Sequence, residues 1–478
     1  MNRTISKSCF YFIAFSTLGI YLQGAPRPRL VVIVSVDQLS SHSVMRYQSQ
    51  WSRGLKTLFK EGVVFSEAYH SHASTETAPG HATIMSGRYP SHTGIVSNTW
   101  FGAGFKRIDS TEDDNVSVLF ATAGRKGASN GWFSGTSLGD WLIHQDPQSR
   151  LVAISGKDRS SIFMAGSSTP DVYWFESFVG FTTSTAYRLD LPQWLQVANQ
   201  NWLQSLQDQS IIWSSSKTNP SIAKPQTYLL DGDYLGERII KTGLPRTIKS
   251  IDDPLDSGFF KRFRATPFYD ELILQFAQKF IEKEQLGQGN HVDIVTLGLS
   301  GTDYVGHAFG TGGPEMQDHL LRLDQALGSF IEFLKSKDSN VVIILTSDHG
   351  APDFAERLNA QGLMAERDSS APWLKVLNEA ARTKLTTSRA DSLDIFRVTG
   401  NPPTDLYINQ AALPIEVDLS SQEKLMPKLL EIVKAAPHVE EVFSREDIVK
   451  AIVPPNQDPR TLSMAQRFNL SYDSRRAG

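Results

Sequence analysis

Short apolar runs rich in β-branched residues recur along this chain, with helical stripes between them. Leu30–Val36, Val292–Leu299 and Val341–Leu345 show too little polar alternation for strands with one wet face, so they read as strands buried on both faces. Leu151–Ser155 reads as a further strand. Ser52–Lys60 followed by Val63-Val64-Phe65 reads as a helix and another strand. A helix is expected over Asp270–Lys283, with Leu272, Leu274, Phe276 and Phe280 as its apolar positions. Leu320, Leu323, Leu327, Phe330 and Leu334 recur at spacings of three and four, the stripe of an amphipathic helix that faces a core. From about Ser160 to Thr266 the texture changes to Trp, Ser and Asp, with Trp174, Trp194, Trp202 and Trp213 and few strand patterns. This reads as an inserted cap lobe. Beyond residue 351, helical patterns at Trp373–Thr383 and Met426–Ala436 flank a strand-like Leu393–Val398. The alternation predicts an α/β fold with a central, mostly parallel sheet flanked by helices. Its core would comprise residues 26–159 and 267–478, with the cap over 160–266.

Composition sharpens this picture. The 478 residues, 40% hydrophobic and 21% charged, suffice for a large core and a second lobe. Arg3 and Lys7, an apolar stretch from Cys9 to Tyr21, and small residues at Gly24 and Ala25 form a secretory signal layout. The stretch is shorter than the ~20 residues of a membrane span. Residues 1–25 are therefore expected to be removed on export to a bacterial periplasm, with no stable membrane anchor. Cys9, the one cysteine, would leave with them, so a disulfide-stapled scaffold is excluded. Loss of the two cations Arg3 and Lys7 takes the net charge from −4 to −6, which disfavours nucleic acid as a partner.

Three of the runs end in groups that can hold a metal. Asp37 follows the first, Asp303 and His307 the second, and Asp348 and His349 the third. In open α/β sheets, ligands collect where strands end and loops begin, which places all five candidates on one rim. Carboxylates mixed with imidazoles suit zinc. A single Asp after a strand is an ordinary turn or cap residue; its recurrence after one buried run after another points to a metal centre. His70, His72, His92, His319 and His438 match no such pattern and read as surface or satisfied histidines.

Thr75–Thr83 is a hydroxyl-rich turn that leads into a short helix, with Pro79 in its first turn and Gly87 just past its end. A helix N-terminus offers free N–H groups to an anion. Alone, Thr77 reads as an N-cap. Beside a metal it becomes a nucleophile, because zinc lowers the pKa of a bound hydroxyl as it lowers that of water, to about 7. Lys157-Asp158-Arg159 taken alone is a solvated loop. If it continues the strand before it, Lys157 and Arg159 share a face and both reach one dianion.

Val36-Asp37-Gln38, Thr75-Glu76-Thr77-Ala78-Pro79-Gly80-His81-Ala82-Thr83, Gly94-Ile95-Val96-Ser97-Asn98, Thr302-Asp303-Tyr304-Val305-Gly306-His307 and Thr346-Ser347-Asp348-His349-Gly350 lie in this order. Over most of residues 29–355 the chain resembles the alkaline phosphatase superfamily, in the branch of type I phosphodiesterases and nucleotide pyrophosphatases. The resemblance implies that core and two Zn2+ ions. One ion would be held by Asp37, Thr77, Asp348 and His349, the other by Asp303, His307 and one further histidine. Lys157-Asp158-Arg159 resembles the Lys-x-Arg pair of threonine-nucleophile bacterial alkaline phosphatases. By that likeness Lys157 and Arg159 bind the phosphoryl oxygens, with Asn98 as a neutral donor. The implied activity is hydrolysis of small phosphate monoesters: in-line attack by Thr77, a phosphothreonine, and its hydrolysis by zinc-activated water. The Cys/Ser-x-Pro-x-Arg motif of sulfatases does not occur.

One family feature is expected to be missing. The third histidine ligand follows a Ser-x-x-x-Arg-x-Gly-like stretch, here Ser471–Gly478, and His438 sits instead in a helix-to-strand connection. The second zinc site is thus expected to lack one ligand and the chain to be impaired. Two other readings stay open: a phosphodiesterase or nucleotide pyrophosphatase on the same scaffold, and an inactive metal- and phosphate-binding remnant.

Overall fold

The structure, a computed structural model, describes residues 27–476 apart from 170, 217–226, 230–234, 236–238, 338–339, 368–369, 386–392, 400–404 and 414–418. The expected signal segment lies outside the described residues. Six strands form the central sheet: β1 (Leu30–Val36), β2 (Leu151–Ser155), β3 (Val172–Glu176), β4 (Gly180–Thr182), β5 (Asp293–Leu299) and β6 (Val341–Thr346), in the order β6-β1-β5-β2-β3-β4. All neighbours are parallel except β3 and β4. The α/β expectation holds.

Helices cover both faces. Named in chain order, those that position the site are α1 (Gly54–Glu61), α2 (Thr77–Ser86), α3 (Asp158–Ala165), α4 (Pro267–Lys283), α5 (Gly301–Phe309) and α6 (Pro314–Lys337). Alternate residues of β1 feed opposite cores. Val32, Val34 and Val36 join the cluster that includes Phe276 and Phe280 of α4 and Leu320 and Leu327 of α6, while Ile33 joins Ala82 of α2 and Ile162 of α3. α1 and α6 meet at two glycines, and a Cβ on Gly54 would stand 2.3 Å from the Gly328 nitrogen. Gly54→Ala is therefore expected to cost about 1–3 kcal/mol, read as a lower urea midpoint.

Register places the chemistry. Val36 pairs with Leu299, Ser35 with Thr346, and Gly298 with Ser155, so four strands finish level and their loops leave from one rim.

Several expectations need correction. Val63-Val64-Phe65 forms no strand; Val63 and Phe65 are 84% and 79% exposed, because a β-branched run becomes a strand only where a ladder accepts it. Nor is β6 buried on both faces: as the edge strand it leaves Val342 and Ile344 exposed. The strand-like Leu393–Val398 shrinks to Phe396–Arg397. The residues expected to open the cap at 160 instead supply most of α3 and then β3 and β4 of the main sheet. Farther on, Leu195, Trp213 and Phe260 pack into the same core as the sheet, so the described residues of this region share the interior of the main fold. Among the described residues, no helix is long and apolar enough to cross a membrane.

Candidate active site

Asp37 extends from the end of β1 and is fully buried, and its backbone N–H donates to the Leu299 carbonyl. Asp348 and His349 follow β6, and the ligand atoms of Asp37, Asp348 and His349 lie within 4.8 Å of one another. His349 Nε2 is 3.2 Å from Asp37 Oδ1 and 3.6 Å from Asp348 Oδ2. Asp303 and His307 follow β5 on a helix and not in a loop: they occupy α5 one helical turn apart, with His307 Nε2 3.2 Å from Asp303 Oδ1. Asp303 Oδ1 comes 4.0 Å from His349, which joins this pair to the first group. All five candidates are thus brought together.

Thr77 opens α2, whose far end is closed by Gly87 in the left-handed region at φ 64°. Its buried hydroxyl is 3.3 Å from Lys157 Nζ. Lys157 Nζ also lies 2.5 Å from Asp37 Oδ2 and 2.5 Å from Asp303 Oδ2, so it stands between two carboxylates. The extended conformation expected for Lys157-Asp158-Arg159 is not adopted: β2 ends at Ser155, Lys157 caps α3 and Arg159 lies in its first turn. Arg159 keeps a buried Nε without a hydrogen-bond partner. Asn98 Oδ1 accepts from the Ala78 N–H at 2.8 Å, and Glu76 accepts from the Asn98 N–H at 2.6 Å and Ser97 Oγ at 2.8 Å. With its carbonyl so engaged, the Asn98 amide N–H2 is left for an anion.

The charges are strongly coupled. Burial pushes Asp37 up, but Lys157, then His349 and His81, override it and hold the carboxyl well below the usual range. Burial and then the Asp37 charge push Asp348 well above it. Against its burial, Asp303 is held at about 2 by Lys157. His349 is carried up to about 10 against its burial, by Asp348 and Asp37. Three converging carboxylates of which one is forced toward neutrality form a site short of positive charge. Both Asp37 oxygens and Asp348 Oδ2 are buried without a well-angled hydrogen bond. This oxygen and imidazole donor set fits a divalent cation, with Asp37, Asp348 and His349 as the protein groups that would hold it.

Two residues without an assigned role prove central. His81, one turn along α2, has Nδ1 2.8 Å from the Thr77 carbonyl oxygen and 3.2 Å from Asp348 Oδ2; burial lowers its pKa to about 4, so it is a neutral prop. Gln38 adopts φ 68°, donates its backbone N–H to Asp348 Oδ1 at 3.1 Å and its Nε2–H to Asp303 Oδ1 at 2.8 Å. The spacing of His81 from Thr77, four along a helix, was a usable signal; nothing local marks Gln38. His72 corrects the expectation of a surface or satisfied histidine, for it is buried with neither ring nitrogen hydrogen-bonded.

Gly80 sets the approach of α2 to this site, since a Cβ there would stand 2.4 Å from the Asp348 carbonyl oxygen. Gly80→Ala is expected to displace Asp348 and weaken metal binding about 10- to 100-fold, the usual effect of disturbing what orients a ligand. Zinc competition against a chelating dye reads this; unchanged affinity would separate Gly80 from the site.

A family model described as type I phosphodiesterase / nucleotide pyrophosphatase matches residues 31–414. The alkaline phosphatase PhoK of Sphingomonas sp is 33% identical over 462 residues, 95% of this chain and 77% of PhoK. The alkaline phosphatase PhoD of Zymomonas mobilis is 32% identical over 461 residues, 94% of this chain and 74% of PhoD. The crystal structure of wild-type alkaline phosphatase PafA superposes with a TM-score of 0.76 at 26% identity, covering 95% of this chain and 85% of PafA.

Proposed function

The chain belongs to the type I phosphodiesterase / nucleotide pyrophosphatase family, and from that premise we propose that it hydrolyses small phosphate monoesters through a phosphothreonine on Thr77. The convergence of Asp37, Asp348 and His349 on one rim with Thr77 and Lys157 carries this reading. The alkaline phosphatase activity in the names of the relatives supports it.

Bound zinc would supply the positive charge that lowers the pKa of the Thr77 hydroxyl and offsets charge on the entering and leaving oxygens. Asp37, Asp348 and His349 would hold one ion with Thr77, and Asp303 and His307 would contribute to a second. Thr77 Oγ attacks phosphorus in line; the new Oγ–P bond forms as the bond to the ester oxygen breaks, and the alcohol departs with a proton. Water then cleaves the Oγ–P bond, releasing phosphate and restoring Thr77. Lys157, Arg159 and the Asn98 amide hold the non-bridging oxygens, where a monoester carries one more negative charge than a diester. His81 and Gln38 are positioning residues, acting through Thr77 and the carboxylates. Export to the periplasm belongs to the same reading, on the layout of residues 1–25.

The test compares an aryl phosphate monoester with the corresponding bis-aryl diester on the zinc-loaded chain. A monoester preference of about a hundredfold in kcat/KM is expected. Diester preference would move the reading to a phosphodiesterase.

A further inference from the structure

β6 is an edge strand, and its ladder with β1 stops at the Ser35–Thr346 pair. The next carbonyl, that of Ser347, leaves the sheet in need of a donor, one residue before the candidate ligands Asp348 and His349. The donor comes from a segment distant in sequence: His70 Nε2 lies 2.8 Å from the Ser347 oxygen. A carbonyl only accepts, so Nε2 carries the proton. Burial lowers the pKa of the ring, which keeps Nδ1 free of a second proton. Within the turn, Ser347 Oγ donates to the His349 carbonyl at 2.7 Å, and the His349 N–H donates to Asp348 Oδ1 at 2.9 Å. Displacing Ser347 therefore displaces both ligands.

The footing of His70 is itself fixed. The helix Met464–Ser471 pins the backbone just after it: the Ala73 N–H donates to the Arg467 carbonyl at 3.1 Å, and Ser471 Oγ accepts from the Ala73 and Ser74 N–H groups at 2.9 and 3.3 Å. The buried His72 ring stands edge-on to that of His70, with centroids 5.4 Å apart. The same segment runs on through Glu76, which bonds Ser97 and Asn98, into Thr77 at the start of α2. One short stretch of chain thus ties the metal-ligand turn to the nucleophile. We propose that His70 is a positioning residue of the metal centre, its Nε2–H fixing the Ser347 carbonyl and through it the aim of Asp348 and His349 at the ion. It acts through the turn and not as a ligand. This rests on the reading above that Asp348 and His349 hold zinc.

The test compares His70→Gln with His70→Met in the full chain. The two side chains are close in length and volume, but glutamine offers an amide N–H2 near the place of Nε2 and methionine offers no donor. Zinc affinity is read by competition against a chelating dye, and folding by the thermal midpoint. His70→Met is expected to bind zinc about tenfold more weakly than wild type, the smaller end of what losing an outer-shell partner costs, and His70→Gln to stay within about threefold. Turnover of an aryl phosphate should show the same split. At saturating zinc the kcat of His70→Met returns close to the wild-type value, while the zinc concentration for half-maximal activity rises about tenfold. Equal zinc affinities in the two variants would overturn the proposal, and a lowered midpoint shared by both with unaltered affinity would reduce His70 to a packing role. Zinc bound by neither wild type nor variants would reject the metal reading itself, an outcome distinct from wild-type binding that His70→Met leaves intact.

Discussion

Thr77→Ala is expected to lower kcat/KM for a phosphate monoester by roughly 10^4-fold or more, the scale on which loss of a nucleophile is felt, and to remove all phosphoenzyme. Thr77→Ser should keep a useful fraction of both, because serine returns a hydroxyl to the same place. The expectation follows from position: Thr77 is buried in the first turn of α2, 3.3 Å from Lys157 Nζ, and its carbonyl oxygen is tied to His81 at 2.8 Å. Stopped-flow quench with a labelled ester, followed by peptide mapping, checks it. Label on another residue would refute the assignment.

Lys157→Ala combined with Arg159→Ala is expected to lower monoester kcat/KM by about 10^2- to 10^4-fold, since each charged hydrogen bond contributes about 1.5–3 kcal/mol. The loss on a diester should be much smaller, because one fewer negative charge needs matching. The two residues are not equivalent. Lys157 lies 2.5 Å from both Asp37 and Asp303, so removing it also leaves buried carboxylates without a counter-charge. Arg159→Ala alone gives the cleaner comparison, as its guanidinium contacts Asp158 rather than the candidate ligands. Equal losses on monoester and diester would remove Arg159 from the phosphoryl site.

The rim was legible because parallel strands of apolar residues end level, and whatever follows them must share an edge; Asp37, Asp303 and Asp348 follow that rule. The helix carrying Asp303 and His307 was legible in principle, for a spacing of four is one turn. Gly306 within it has a tertiary cause: a Cβ there would overlap Gln38 Oε1 at 1.8 Å, a contact between distant segments that no local pattern reveals. Val172–Glu176 is a strand whose short apolar run lies in a stretch rich in Trp, Ser and Asp, a composition that masks it. Val63-Val64-Phe65 erred the other way, since propensity cannot supply a pairing partner.

In the proposed mechanism Asp37, Asp348 and His349 hold the metal that makes Thr77 reactive. This is tested most directly by stripping the purified chain with a chelator, confirming metal loss by elemental analysis, and assaying monoester hydrolysis before and after adding back zinc. Turnover is expected to disappear with the metal, to return with zinc, and not to return in Asp348→Asn at the same zinc concentration. Undiminished hydrolysis by the metal-free chain, or full recovery in Asp348→Asn, would contradict it.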